Sequence, residues 1–436
     1  MMRETVVGLG LLFCCMQSLA QEVHTLREAH AVGACVWVDM SLKITGELRV
    51  SSREKTVHLD LDGNGRFAFH EKVLATDAQG LPSRVARYYD RARMELKVHR
   101  DTSVRELRPE RALIMAQDID DATVTWSPAG PLTYEEWRLV GEHFDVLAVS
   151  GLFPERPVTQ GAKWKAPLRV VQALGNLDAL VQGELTCCLD RIENGSALLV
   201  VEGDLEGLAK GALVKQTHRG LCTVDLSTQR WTAVRWQIKE ERQAGVVSPA
   251  STLTSVTEIV RRPASVPDTL SEAVTAVVAA RPKPEHLLLT FRDTKNGLVF
   301  EAERGWYPVA LTEHYAVYRL IEGGELVAQL NITPLPKAKP GDHVRPDELR
   351  QNIRKTSGLE IVQELQAGEV PAAQNHWAYR LSLLTRADDT DLLQNYYALA
   401  GPQGTQFLLT FTAEPRAAEK LGARDLALVG SARCHK

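Results

Sequence analysis

Apolar and polar residues alternate with a period of two over most of the first 262 positions. Val57, Leu59 and Leu61 are interleaved with His58, Asp60 and Asp62, and Phe67 and Phe69 with Arg66, Ala68 and His70. Gly63-Asn64-Gly65 lies between the two runs, so the pattern predicts a half-buried hairpin over 55–72 with a three-residue loop. In that register Leu61 faces Phe67, Leu59 faces Phe69, and His58 faces His70. Further strands are expected at 84–99, 122–126, 164–171, 183–192, 197–202, 212–218, 221–226, 231–242 and 252–260. Together they form one large antiparallel sheet.

One helix interrupts the series. Thr133 and Glu136 have the spacing of a capping box, and Trp137, Val140, Phe144 and Leu147 recur at helical intervals before Gly151 and Pro154. Its apolar stripe is expected on the concave side of the sheet. Prolines 263, 267, 282 and 284 mark residues 263–285 as a linker holding a short helix. Beyond it the order is mixed, with strands at 287–291, 298–303, 315–321, 325–334, 360–365, 376–385, 392–400 and 406–412. Helices are expected at 346–357 and 416–421, and a Gly305-Trp306 turn follows the second strand. The fold class is therefore α+β: signal segment 1–20, β-rich domain 21–262 with one packed helix, linker 263–285, and a second domain over 286–436.

A length of 436 residues fits two domains. The net charge of -4, spread in both signs, supplies no basic stripe for nucleic acid. Arg3, the apolar run Thr5–Met16 and the small residues of Ser18-Leu19-Ala20 read as a secretory signal cleaved before Gln21. Cys14 and Cys15 follow Leu11 and Leu12, but Phe13 stands where a lipobox needs a small residue. The chain is thus expected to be exported, periplasmic or extracellular, with no membrane span. Five cysteines remain after cleavage: Cys35, Cys187, Cys188, Cys222 and Cys434. Small buried thiols are the favoured reading, with a bridge from Cys187 or Cys188 to Cys222 open if their strands are neighbours.

The C-terminal domain resembles the PsbP/DcrB-like domains, α/β/α sandwiches of exported bacterial and thylakoid-lumen proteins. The likeness rests on Asn296-Gly297-Leu298-Val299-Phe300 and Gly305-Trp306. At the end of the chain it rests on Asn395-Tyr396-Tyr397-Ala398-Leu399 running through Gly401-Pro402-Gln403-Gly404 into Gln406–Thr412. Glu301-Ala302-Glu303-Arg304 departs from the family, which usually has a proline before the Gly-Trp turn. The resemblance implies an accessory or interaction role and carries over no active-site residues. In outline only, the N-terminal domain is similar to LolA-like lipoprotein carriers.

Candidate chemistry is sparse. Asp60, Asp62, Asn64 and Glu71 match calcium-loop spacing, although their flanks alternate like strands where such a loop needs helices. Glu135, Glu136, Glu142, His143 and Asp145 cluster on the helix and read as a solvated face. Trp306, Tyr307, Tyr396 and Tyr397 are the candidate interface aromatics. No nucleophile, phosphate-loop or zinc signature occurs, so no cofactor is expected. The expected function is non-enzymatic binding of an envelope or extracellular protein. Two alternatives are a carrier or sensor of an apolar ligand, with 131–153 plugging the sheet, and a hydrolase with an unfamiliar site.

Overall fold

The computed structural model describes residues 22–435 except 29, 52–54, 120–121, 142–143, 155 and 357. The segment 1–20, expected to be a secretory signal, therefore lies outside the described residues.

Antiparallel pairing dominates. A thirteen-stranded sheet runs from Lys163–Lys165 through Thr186–Glu193, Ser196–Ala209, Ala212–Asp225, Arg230–Arg242 and Ala250–Pro263 to Cys35–Ser51. It continues through Thr56–Thr76, Pro82–Val98 and Leu113–Ile119 to Ala122–Trp126. Ala179–Gly183 joins beside Ser196–Ala209, and Asp101–Glu106 beside Pro82–Val98. The first long strand thus sits in mid-sheet, paired with the last strand before residue 264.

The expected hairpin over 55–72 is a single 21-residue strand, Thr56–Thr76. Its neighbours are Cys35–Ser51 and Pro82–Val98, so Leu61 pairs with Gly46 and Val98 rather than with Phe67. Gly63 and Gly65 are not turn residues. A Cβ on Gly63 would lie 2.8 Å from Leu96 Cδ2 and 2.9 Å from Met94 Cε, and one on Gly65 2.9 Å from the Phe67 ring. The glycines clear room on the concave face for those side chains. Gly220 acts similarly inside Ala212–Asp225, one strand where two were expected, because the Trp236 ring covers it.

Residues opposite one another across the strands form rows on the concave face. One fully buried row holds Cys222, Val234, Ile259, Met40, Phe67 and Ala92. The helix Tyr134–Gly141, the 3-10 segment Leu147–Leu152 and the helix Leu168–Gly175 fill this side, with Phe144 against Trp236 at 5.6 Å. The capping box forms: Thr133 Oγ1 accepts from Glu136 N at 3.1 Å, and Glu136 Oε2 accepts from Thr133 N at 2.8 Å. The helix is nevertheless shorter than expected, ending at Gly141. Leu168–Gly175, expected as part of a strand, is helical because Pro167 starts it and Val170, Val171 and Leu174 form one buried stripe. Asn176 ends it in the left-handed conformation.

Residues 264–288 do not dangle between two bodies. Leu270 is fully buried on the convex side with Ala86, Met115 and Trp126. The buried Lys72 ammonium donates to Leu270 O at 3.0 Å and to Thr275 Oγ1 at 3.1 Å. Leu289–Asp293 then pairs in parallel with Leu132–Thr133 and antiparallel with Leu298–Ala302 in a four-stranded sheet closed by Arg433–Cys434.

A seven-stranded antiparallel sheet follows, in the order Trp306–Leu311, Ala316–Glu322, Glu325–Leu335, Gln406–Ala413, Thr390–Ala400, Trp377–Ala387 and Glu360–Glu369. Gly305 lies in the expected turn, closed by Trp306 N donating to Glu303 O at 3.2 Å, and Trp306 opens the first strand. On one face Leu349 and Ile353 of the helix Pro346–Thr356 pack on Tyr379, Leu381, Tyr396 and Ala398. On the other, Leu428 and Val429 of the helix Arg424–Ser431 join a core with Tyr397, Leu409 and Phe411 that continues into the large sheet.

Candidate functional site

The calcium-spaced residues do not converge. Asp60, Asp62 and Asn64 share the solvent face of one extended strand, while Glu71, at odd spacing, points to the other side. Glu71 is buried and accepts from Arg87 Nε at 2.8 Å. Burial works against the Arg87 charge, but the Glu71 carboxylate outweighs it and holds the guanidinium above its usual range. His58 and His70 are twelve positions apart in the same strand, about 40 Å at ~3.3 Å per residue. His58 pairs with Glu47, and His70 lies 3.5 Å from Asp90. Among the described residues no three His, Cys, Asp or Glu side chains are grouped to hold a metal.

Of the four aromatic candidates, three are core residues. Trp306 is 1% exposed and packs edge-on to Phe411. Tyr396 is buried under the helix Pro346–Thr356 and donates to Gln394 Oε1. Tyr397 is fully buried and donates to Asp425 Oδ2 at 2.8 Å. They hold the sheet together and offer no surface. Tyr307 is half-buried and lies elsewhere, in a cleft.

That cleft, about 370 Å³, lies where the concave mouth of the large sheet meets the edge strand Trp306–Leu311. Four cationic side chains line it: Arg105 from Asp101–Glu106, Arg138 from the capped helix, Lys210 from a hairpin turn and Arg242 from Arg230–Arg242. One carboxylate, Glu135, faces them. Tyr134 and Tyr307 form the aromatic wall, edge to face with centroids 6.3 Å apart. Arg138 stands 5.8 Å from the Tyr134 ring and Lys210 5.7 Å from the Tyr307 ring. Val247, Ser248 and residues 308–311 complete the lining.

Each cation is placed by local structure. Lys210-Gly211 is a two-residue hairpin turn with both φ angles positive, which aims Lys210 into the cleft. It abuts the turn at Gly324, whose carbonyl oxygen would lie 2.7 Å from a Cβ on Gly211. Arg138 rides on a helix whose start is fixed by Glu136. Burial raises the Glu136 pKa, but hydrogen bonds from Arg108, Thr133 N and Arg108 N outweigh it and leave the carboxylate below its usual range. Glu136 is therefore not part of a solvated face. Asp145 accepts from Thr123 at 2.9 Å, whereas Glu142 and His143 lie outside the described residues.

Arg242 begins a polar chain into the interior. Its Nε donates to Glu240 Oε1 at 3.2 Å, and Gln216 Nε2 donates to Glu240 Oε2 at 2.8 Å. Gln216 Oε1 lies 2.9 Å from His218 Nε2, and Trp236 Nε1 donates to His218 Nδ1 at 3.1 Å. Indole nitrogen only donates, so Nδ1 is the acceptor and Nε2 carries the proton. The buried imidazole is neutral, its pKa lowered to about 4 by desolvation despite the nearby Asp204 charge.

Cys187 and Cys222 both face the core, but the strand Ser196–Ala209 separates theirs. Two strand spacings, about 9.6 Å, exceed the reach of a disulfide. Both thiols are free and buried.

No family model matches the chain, and no curated protein matches it. Solved structures with partial likeness include a Pseudomonas aeruginosa protein of unknown function, PA94, described as a putative regulator (14% identity, 31% of this chain and 88% of that one, TM-score 0.22). Cyanobacterial PsbP from Synechocystis aligns at 13% identity over 37% of this chain and 99% of its own, TM-score 0.27. Lipovitellin aligns at 7% identity over 55% of this chain and 26% of its own, TM-score 0.30. Likenesses this weak carry no argument about function. No helix among the described residues is long and apolar enough to cross a membrane.

Proposed function

We propose that this chain is a non-enzymatic binding protein that holds an anionic group in the cleft between its large sheet and its seven-stranded sheet. One observation carries the reading: four cations from four separate stretches of chain line one cleft whose lining holds one carboxylate, Glu135, with Arg242 also paired to Glu240. Guanidinium and ammonium donors beside tyrosine rings suit a phosphate or carboxylate. Recognition is the role we assign to the site, because its lining is dominated by guanidinium, ammonium and phenol donors, with Ser248 and Glu135 beside them. In this reading the protein is exported after cleavage before Gln21. Its parts are a β-rich domain and a C-terminal α+β domain of PsbP/DcrB-like sandwich type.

Phosphorus NMR of butyl phosphate titrated with the protein tests the reading. Saturable binding at millimolar concentration is expected, weakening at least tenfold in the double variant Arg138→Ala/Lys210→Ala with an unchanged circular dichroism spectrum. Absence of saturable binding to the unaltered protein refutes it. Mass spectrometry of the exported protein should give Gln21 as the first residue.

A further inference from the structure

The rows of the concave face change character toward the cleft. Behind it they hold Met40, Phe67 and Ala92 and are filled by helices. Toward the open end the inward residues of Cys35–Ser51, Thr56–Thr76 and Pro82–Val98 are aliphatic or glycine, with Ile44 and Leu96 still packed against the core, while the same rows farther along the sheet hold Gln216, Glu240 and His218. Arg242, Ser251, Leu48 and Leu59 are successive neighbours in one row. The next contains Leu61 and Val98, and the one after it Ile44 and Leu96, with Gly63 between them. Met94 and Arg105 lie in the fourth. Leu48, Leu59, Leu61 and Val98 are half-buried, whereas their neighbours on the opposite face, Glu47, His58, Asp60 and Lys97, are polar.

Arg105 and Arg242 are five strand spacings apart and three rows apart in register, about 30 Å on a flat sheet, yet both line the same cleft. The sheet therefore curls into a trough. Its aliphatic floor, about 13 Å by 10 Å at these spacings, runs between two of the cleft's cations. Leu48, Leu59, Leu61 and Val98 stay half-exposed there, and half-exposed aliphatic surface has a free-energy cost that a covering group removes. Apolar floor and cationic rim together match one kind of molecule.

We infer that the ligand is an anionic amphiphile, its charged group in the cleft and its aliphatic chain along the floor formed by Ile44, Leu48, Leu59, Leu61, Leu96 and Val98. This rests on the anion-binding reading above and adds the apolar half of the ligand. Full burial strengthens binding about fourfold per methylene, so a chain covered on one side gains about twofold.

The test compares inorganic phosphate, butyl, octyl and decyl phosphate, and uncharged decanol, by calorimetry on the full chain below micellar concentrations. Affinity should rise roughly 50-fold from butyl to decyl phosphate. In Leu48→Ser/Leu59→Ser the rise should flatten while butyl phosphate binds as before. Because the length series is read first on the unaltered protein, the inference does not depend on that variant folding. Butyl and decyl phosphate binding equally would overturn this inference and leave the anion site standing. Decanol binding as tightly as decyl phosphate would overturn the anion site, and with it the amphiphile. No binding by any probe would overturn both. Self-association in ultracentrifugation that Leu48→Ser/Leu59→Ser abolishes, with no gain from chain length, would make a second copy the occupant and refute the amphiphile.

Discussion

Acid should weaken this fold through one identifiable imidazole. His218 is fully buried between Gln216 and Trp236, with no solvent to accept a charge, so its pKa falls from 6.5 to about 4. In the unfolded chain it titrates at the ordinary value. Between those values the unfolded state binds more protons, so stability falls as pH falls. The contribution is intact above pH 6.5, declines by about 1.4 kcal/mol per unit, and is lost once the pH drops below about 4. At pH 5 the loss is about 2 kcal/mol, and its limit is about 3 kcal/mol. Protonation would also set an imidazolium N–H against the indole N–H of Trp236, replacing a hydrogen bond with two opposed donors. The assay is urea unfolding at pH 8, 7, 6 and 5 for the unaltered protein and His218→Gln. The variant is less stable overall, but its loss between pH 8 and pH 5 should be smaller by about 2 kcal/mol. His30, also buried with a pKa lowered to about 4, is present in both proteins and cancels. Parallel stability curves for the two proteins would refute the assignment.

The buried pair of Glu71 and Arg87 supplies a second test: Arg87→Leu should destabilise by about 3–5 kcal/mol because it strands a carboxylate, and Glu71→Leu/Arg87→Leu should recover most of that in urea melts. Gly203→Ala places a Cβ 2.0 Å from the Glu184 carbonyl oxygen, so it should cost about 1–3 kcal/mol. Gly63→Ala meets only the ends of Leu96 and Met94, which move, and thermal melting should show a clearly smaller loss. Burial pushes the Cys187 thiol up to about 12, and the Cys222 thiol also rises. Neither should react with an aromatic disulfide reagent at pH 8 until denaturant is added; labelling in the native state would refute their burial.

Much of the strand content was legible because period-two alternation is a local property. The strand Ala122–Trp126, the helix start at Pro346 and the capping box of Thr133 and Glu136 lie where their patterns put them. Two of the misread places share one cause: a residue suited to a contact across the sheet has the composition of a local signal. Gly63-Asn64-Gly65 has turn composition, but its glycines make room for Met94 and Leu96 from the next strand. The expected strands 212–218 and 221–226 are one, and Gly220 between them accommodates Trp236. Tyr396 and Tyr397 read as surface anchors, yet both faces of their sheet are covered, which depends on two helices distant in sequence. The cleft left no trace at all, since Arg105, Arg138, Lys210 and Arg242 have no common spacing and meet only through the curl of the sheet.

The cleft's dependence on both parts of the chain constrains how it works. Its wall of Tyr307–Leu311 belongs to the seven-stranded sheet, while its cations belong to the large sheet and its helix. The two are locked by polar contacts as well as by a shared core. Arg304 donates to Thr125 O at 2.7 Å and to Leu287 O at 3.1 Å, and burial lowers its pKa to about 10. Arg319 donates to Val246 O beside the cleft residue Val247. Tyr134 stacks on Phe291 while its other neighbour, Tyr307, lines the cleft. A ligand that touches both walls binds only the docked arrangement, so by mass action it stabilises the docking itself. The junction that assembles the site is therefore also the element through which a ligand in the cleft would be felt in the C-terminal sheet.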